Sequence, residues 1–205
     1  MDEREASFAE LFGDARPRDT RERILFGALE LFKTHGFHAV GLDRILAEVG
    51  VTKTTFYNHF PSKDDLVVEA IRLRDAWESR AFARAVQEKA GYDPRAMLLA
   101  IFDVLDEWFT LDRYRGCVFI LACAEFPDPR DPVHRVAARH FGVAEEEIAK
   151  MAAAAGADDP AALAREWVTL MQGATVDRLV RGDDLGAQVA RSIAEAILAR
   201  RLPPR

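Results

Sequence analysis

Apolar residues recur at helical spacing along almost the whole chain, and no segment alternates apolar and polar residues as a half-buried strand would. The first predicted helix opens near Asp19 or Thr20, with Ile24, Leu25, Ala28, Leu29, Leu31 and Phe32 as its apolar stripe. His35-Gly36-Phe37 ends it, with Gly36 suited to the left-handed cap and Phe37 to folding back on the last turn. A short second helix is predicted from about Asp43 to Val49, then a tight turn at Gly50-Val51-Thr52, then a third helix from Lys53 to His59 that Pro61 stops. Ser62 caps a fourth helix, with Asp64 and Asp65 in its first turn, that runs to about Ala90. Asp93-Pro94 opens a fifth, to about Leu111, and Cys117 to Glu125 forms a short apolar sixth. Asp131 caps a seventh ending near Gly156, Asp159-Pro160 starts an eighth that Gly182 ends, and the last runs from about Asp184 to Arg201. The pattern predicts an all-α protein of about nine helices: a flexible arm over residues 1–18, a three-helix unit over 19–65 and a helical bundle over 66–205.

The chemistry concentrates between residues 41 and 63. Two short helices joined by a three-residue turn with a glycine at the bend make a helix-turn-helix, so the N-terminal unit is homeodomain-like. In such a motif the second helix enters the major groove. At about 100° per residue, Phe56 points one way while Thr54 and Asn58 point almost opposite. Phe56, Val51 and Phe60 are the predicted anchors; the other face presents hydroxyls, an amide and a phenol suited to phosphates and base edges. Lys63 and the free amides opening the fourth helix add a candidate anion site, with Lys63 on the DNA side and Asp64 and Asp65 turned away.

The formal net charge of −6 argues against nucleic acid at first sight. Its distribution reverses that: residues 16–63 hold eight basic and five acidic residues, a mildly basic segment on an acidic body. Hydrophobic residues at 49% and charged residues at 30% suit a soluble globular chain with a real core. No run of about 18 apolar residues suggests a membrane span, and the acidic start Met1-Asp2-Glu3-Arg4-Glu5 lacks a signal-peptide core, so a cytoplasmic location is expected. Cys117 and Cys123 have neither zinc-pair spacing nor company for a disulfide framework, and His134 and His140 share a helix face poorly; no metal and no cofactor is expected. No Gly-x-Ser-x-Gly, glycine-rich phosphate loop or local Cys–His pair points to an enzyme.

The stretch Ala47-Glu48-Val49-Gly50-Val51-Thr52-Lys53-Thr54-Thr55-Phe56-Tyr57-Asn58-His59-Phe60-Pro61-Ser62-Lys63-Asp64-Asp65-Leu66 resembles the signature of the tetracycline-repressor (TetR) family, as does the helix ending Leu31-Phe32-Lys33-Thr34-His35-Gly36-Phe37. The specific likeness covers about residues 20–70; beyond it only the number and order of helices is similar. The resemblance implies a sequence-specific repressor released from a palindromic operator in double-stranded DNA by a small molecule. It puts Thr55, Tyr57, His59 and Lys63 where family members contact phosphates, and Lys53, Thr54 and Asn58 where bases are reached, with Thr52 at the turn. One position departs: Gly41 stands where the family often has Thr or Ser at the second helix's N-cap, and Arg44, one turn on, is the candidate replacement. Structural alternatives stay open for Tyr57, packed on the first helix, for His59, as a hydrogen-bonder, and for Arg16 and Arg18, as an idle tail rather than a minor-groove arm.

The eighth and ninth helices carry apolar residues on more than one face, so each needs two partners. A homodimer interface is expected over Leu163, Trp167, Leu170, Leu185, Val189, Ile193 and Ile197, with Val168, Val176, Leu179 and Val180 extending the apolar surface. The resemblance further implies an effector cavity in the bundle, for which Trp77, Phe102, Trp108, Phe109, Phe119, Cys123, Trp167 and Met171 are the candidate lining. That lining suits an apolar or aromatic effector, with Glu125, Arg165 or Glu166 as polar anchor. Two other readings remain: a helical interaction protein with a degenerate helix-turn-helix, and a regulator without ligand control.

Overall fold

A computed structural model describes residues 17, 19–111 and 114–203. The predicted arm, with Arg16 and Arg18, lies outside the described residues apart from Pro17. Among the described residues the chain is all-helical, with nine helices: α1 (Thr20–His35), α2 (Leu42–Val49), α3 (Lys53–Tyr57), α4 (Lys63–Ala90), α5 (Pro94–Phe109), α6 (Val118–Glu125), α7 (Pro132–Ala154), α8 (Pro160–Arg181) and α9 (Leu185–Arg201). Local chemistry sets their ends. The Asp19 carboxylate accepts the Glu22 amide at 2.9 Å, and that of Asp93 accepts the amides of Arg95 and Ala96. The eighth helix starts with the Asp159 carboxylate on the Ala162 amide and stops at Gly182, which is left-handed. The third helix ends two residues before the expected His59, because its last turn tightens: the His59 amide bonds the Phe56 carbonyl three residues back, at 2.9 Å.

The described residues fall into two compact units. The first takes residues up to Glu78 together with Val118–Ala138, and the second takes Ser79–Cys117 with Arg139 onward. The first unit has a phenylalanine-rich core of Phe32, Phe37, Phe56 and Phe60, none with exposed surface, joined by Ile24, Ile45 and Leu66. Phe32 meets Phe37 at 5.0 Å between ring centroids, and Phe56 meets Phe60 at 5.6 Å. Arg23 of α1 donates to the Val49 carbonyl at the end of α2 at 2.9 Å, bracing the two helices. In the second unit α9 packs against both α8 and α5. A Cβ at Gly186 of α9 would lie 2.8 Å from the Ala174 carbonyl oxygen of α8, so these two backbones touch. Trp167 is fully buried here, its ring 5.8 Å from that of Phe102 and its indole N–H on the Leu98 carbonyl at 2.9 Å.

Candidate nucleic-acid interface

The bend between α2 and α3 rests on Gly50, whose φ of 71° is left-handed; its amide and that of Val51 both return to the Leu46 carbonyl. Thr52 then caps α3: its hydroxyl accepts the Thr55 amide at 3.1 Å and pairs with the Thr55 hydroxyl at 2.9 Å. The face division predicted for α3 is present. Phe56 has no exposed surface, whereas Lys53, Thr54 and Asn58 are exposed and Tyr57 is 50% exposed. The Tyr57 ring meets Phe56 edge-on at 5.3 Å. Thr55 and His59 are half-buried, and the His59 ring lies 6.5 Å from that of Phe60.

The flanking residues are more committed than their spacing suggests. Exposed Arg44 places its guanidinium 2.6 Å from the His35 imidazole. Gly41 caps α2 without any side-chain hydrogen bond. Ser62 accepts the Asp65 amide at 3.1 Å and donates to the Asp65 carboxylate at 2.7 Å, so that acid is turned onto the cap. The Lys63 ammonium donates to the Phe37 carbonyl at 2.6 Å and sits 6.0 Å from the centre of the Phe32 ring. Arg21 pairs with Glu69 and lies over the Phe60 ring at 5.0 Å.

One contact to this region has no local sequence signal. Glu125, the last residue of α6, accepts the amides of Phe37 at 2.9 Å and His38 at 2.7 Å, and its second oxygen lies 2.9 Å from His38 Nδ1. Partial burial raises the Glu125 pKa, but the two amides and the His38 ring outweigh it and hold the carboxylate below its usual range. Glu125, expected as a polar anchor for an effector, thus bonds the Phe37-His38 turn with both of its oxygens. Of the other two expected anchors, Arg165 pairs with Glu145 at 3.0 Å and Glu166 with Arg201 at 2.6 Å.

The residues expected to line an effector site divide between the units. Trp77, Phe119 and Cys123 belong to the first, with Phe119 fully buried; Phe102, Trp108, Phe109, Trp167 and Met171 belong to the second. Within the second, Phe102, Phe109 and Trp167 are sealed in the core, while Trp108 and Met171 pack partly buried against it. Of the expected dimer residues, Leu163 and Trp167 have no exposed surface, because their face of α8 is consumed by the chain's own core; Ile197 is also buried, as is Val168 from the expected extension. Leu170 is half-buried, and Leu185, Val189 and Ile193 of α9 are exposed. Val176, Leu179 and Val180 of α8 are exposed as well, Val180 to 77%. Among the described residues no helix is long and apolar enough to cross a membrane.

Comparison with known proteins places this geometry. Residues 24–70, which span α1 to the start of α4, match the model of bacterial regulatory proteins of the tetR family. The HTH-type transcriptional regulator YjdC of Escherichia coli is 27% identical over 182 residues, covering 87% of this chain and 93% of YjdC. The crystal structure of SCO4454, a TetR-family transcriptional regulator from Streptomyces coelicolor, is 31% identical with a TM-score of 0.81, covering 89% of this chain and 95% of that one. A putative TetR transcriptional regulator from Streptomyces avermitilis is 25% identical with a TM-score of 0.79, covering 90% of this chain and 98% of its own. A buried Phe56 beneath an exposed polar face, a left-handed Gly50 at the bend, and likeness over nearly the full length agree: the chain belongs to the TetR family of DNA-binding helix-turn-helix transcriptional regulators.

Proposed function

We propose that this regulator is a cytoplasmic, non-enzymatic repressor that binds a palindromic operator as a homodimer and is released by a small apolar or aromatic effector. The observation that carries the reading is α3 itself: a fully buried Phe56 fixes the helix while Lys53, Thr54, Tyr57 and Asn58 stand free to meet DNA. In this reading Lys53, Thr54 and Asn58 reach bases, and Thr52, Thr55, Tyr57, His59 and Lys63 position the helix on phosphates, with Arg44 one turn into α2 as a further phosphate contact. Residues 19–65 then form the DNA-binding part and residues 66–205 the effector and dimer part.

Dimerisation is supported by the unpartnered apolar surface of α8 and α9. Leu185, Val189 and Ile193 follow one another at four-residue spacing, and Val176, Leu179 and Val180 add a second exposed strip. Two copies sharing these helices form a four-helix contact. For the effector, the partly buried Trp108 and Met171, packed against the apolar core of the second unit, support an apolar, aromatic lining.

Selection of binding sites from random duplex DNA by the full chain, followed by footprinting, tests the reading. The expected product is an inverted repeat with half-sites a helical turn or more apart on one side of the duplex. Asn58→Ala is expected to change the selected sequence, and a selected site without two-fold symmetry overturns the dimeric operator.

A further inference from the structure

The peptide group joining Phe37 and His38 is held at both ends by opposite charges. Its N–H, that of His38, donates to the Glu125 carboxylate at 2.7 Å, and its C=O, that of Phe37, accepts from the Lys63 ammonium at 2.6 Å. A peptide carries its positive end at N–H and its negative end at C=O, so both contacts are favourable in this one orientation and a flipped plane loses both. The preceding amide, of Phe37, donates to the other Glu125 oxygen at 2.9 Å, which fixes the carboxylate in plane. His38 Nδ1 lies 2.9 Å from the oxygen that takes its own amide, and the His38 ring lies tilted at 4.7 Å from that of Phe126, the residue after Glu125. Glu125 also closes α6, where a negative charge opposes the helix dipole; its place there is explained by the turn it grips and not by α6.

We infer that Glu125 is a positioning residue for DNA binding: through the Phe37–His38 peptide it holds the Lys63 ammonium in place for a backbone phosphate. The inference rests on the proposed phosphate role of Lys63. An ammonium has three N–H donors, and the Phe37 carbonyl takes one, leaving two for a phosphate. With the stem pinned before DNA arrives, the ordering cost of a long flexible side chain is met in the folded protein and not at the moment of binding.

A double-mutant cycle on the full chain tests this, with a 40-base-pair duplex of mixed sequence as probe, since phosphate contacts do not depend on sequence. Lys63→Ala is expected to weaken binding about tenfold and to lower the slope of log K against log salt by about one per protomer. Glu125→Gln, which keeps the shape and loses the charge, is expected to weaken binding about three- to tenfold with a shallower slope. The double variant should bind no more weakly than Lys63→Ala alone. Multiplied losses in the double variant, or a Glu125→Gln protein that binds normally while Lys63→Ala does not, overturn the positioning role. Normal binding by Lys63→Ala overturns the phosphate role itself, and the inference with it. Thermal unfolding is followed in parallel; if the glutamine variant is unfolded at the assay temperature, Glu125→Asp takes its place in the cycle, with the same non-additivity expected.

Discussion

Gly36 has a φ of 84°, and a Cβ there would lie 2.7 Å from Glu125 Oε1. The carboxylate is the end of a flexible side chain and can move aside, but only by giving up the Phe37 amide. Gly36→Ala is therefore expected to cost backbone strain and a charge-assisted hydrogen bond together, more than about 1 kcal/mol in urea unfolding. Glu125 also makes stability depend on pH. Its pKa is depressed in the folded chain, so its contribution is full above the ordinary carboxylate range and is lost as pH falls through the folded value. Between about pH 5 and about pH 3 the melting temperature of the native chain should fall more steeply than that of Glu125→Gln, as differential scanning calorimetry would show. Nothing near Glu125 in the chain announces this role. Its partners lie 87 and 88 residues away, and a lone acid at the end of an apolar helix offers no period or spacing to read.

At the scale of the element, legibility followed the range of the forces. Asp19, Asp93-Pro94, Asp159 and Gly182 act on amides or torsions within a turn of themselves, so helix ends were readable to within one or two residues. Phe56 against Thr54 and Asn58 was readable for the same reason, since one helical period decides both faces. What periodicity does not decide is who covers an apolar face. The eighth helix is apolar on several sides, and only the packed structure shows Leu163 and Trp167 turned into the chain's own core while Val176, Leu179 and Val180 are left outside. The contact of α8 with α9 hinges on a missing side chain. Gly186→Ala drives a methyl against the Ala174 backbone, which has no rotamer with which to yield, and should cost about 1–3 kcal/mol. Gly142→Ala in α7 meets open space and should instead stabilise by about 0.5–1 kcal/mol. Thermal melts of the two variants side by side check the contrast.

For the molecule as a whole, the proposed dimer sets how tightly a two-fold operator is held, because each protomer alone reads only a few base pairs. Val189 is 57% exposed and Ile193 45%, so charges placed there disturb little of the chain's own core. The paired change Val189→Glu with Ile193→Glu should give a monomer in sedimentation equilibrium at micromolar concentration, with helical circular dichroism retained. Operator affinity should fall by orders of magnitude, because the second half-site contact ceases to be intramolecular.

The bare cap at Gly41 has a physiological side. Its φ of −74° and ψ of 159° suit any L-residue, and a Cβ there meets nothing within 4 Å. Threonine would fit, cap α2 and offer DNA one more hydroxyl, so Gly41→Thr should raise affinity for all duplex sequences in a gel-shift titration. That outcome would place the natural grip below what the scaffold permits. If the proposed release by an effector holds, a tighter hold demands a larger difference in effector affinity between the DNA-bound and released states. In the proposed repressor, an affinity left short of its ceiling would place the induction threshold at a lower effector concentration, and a single codon would suffice to raise it.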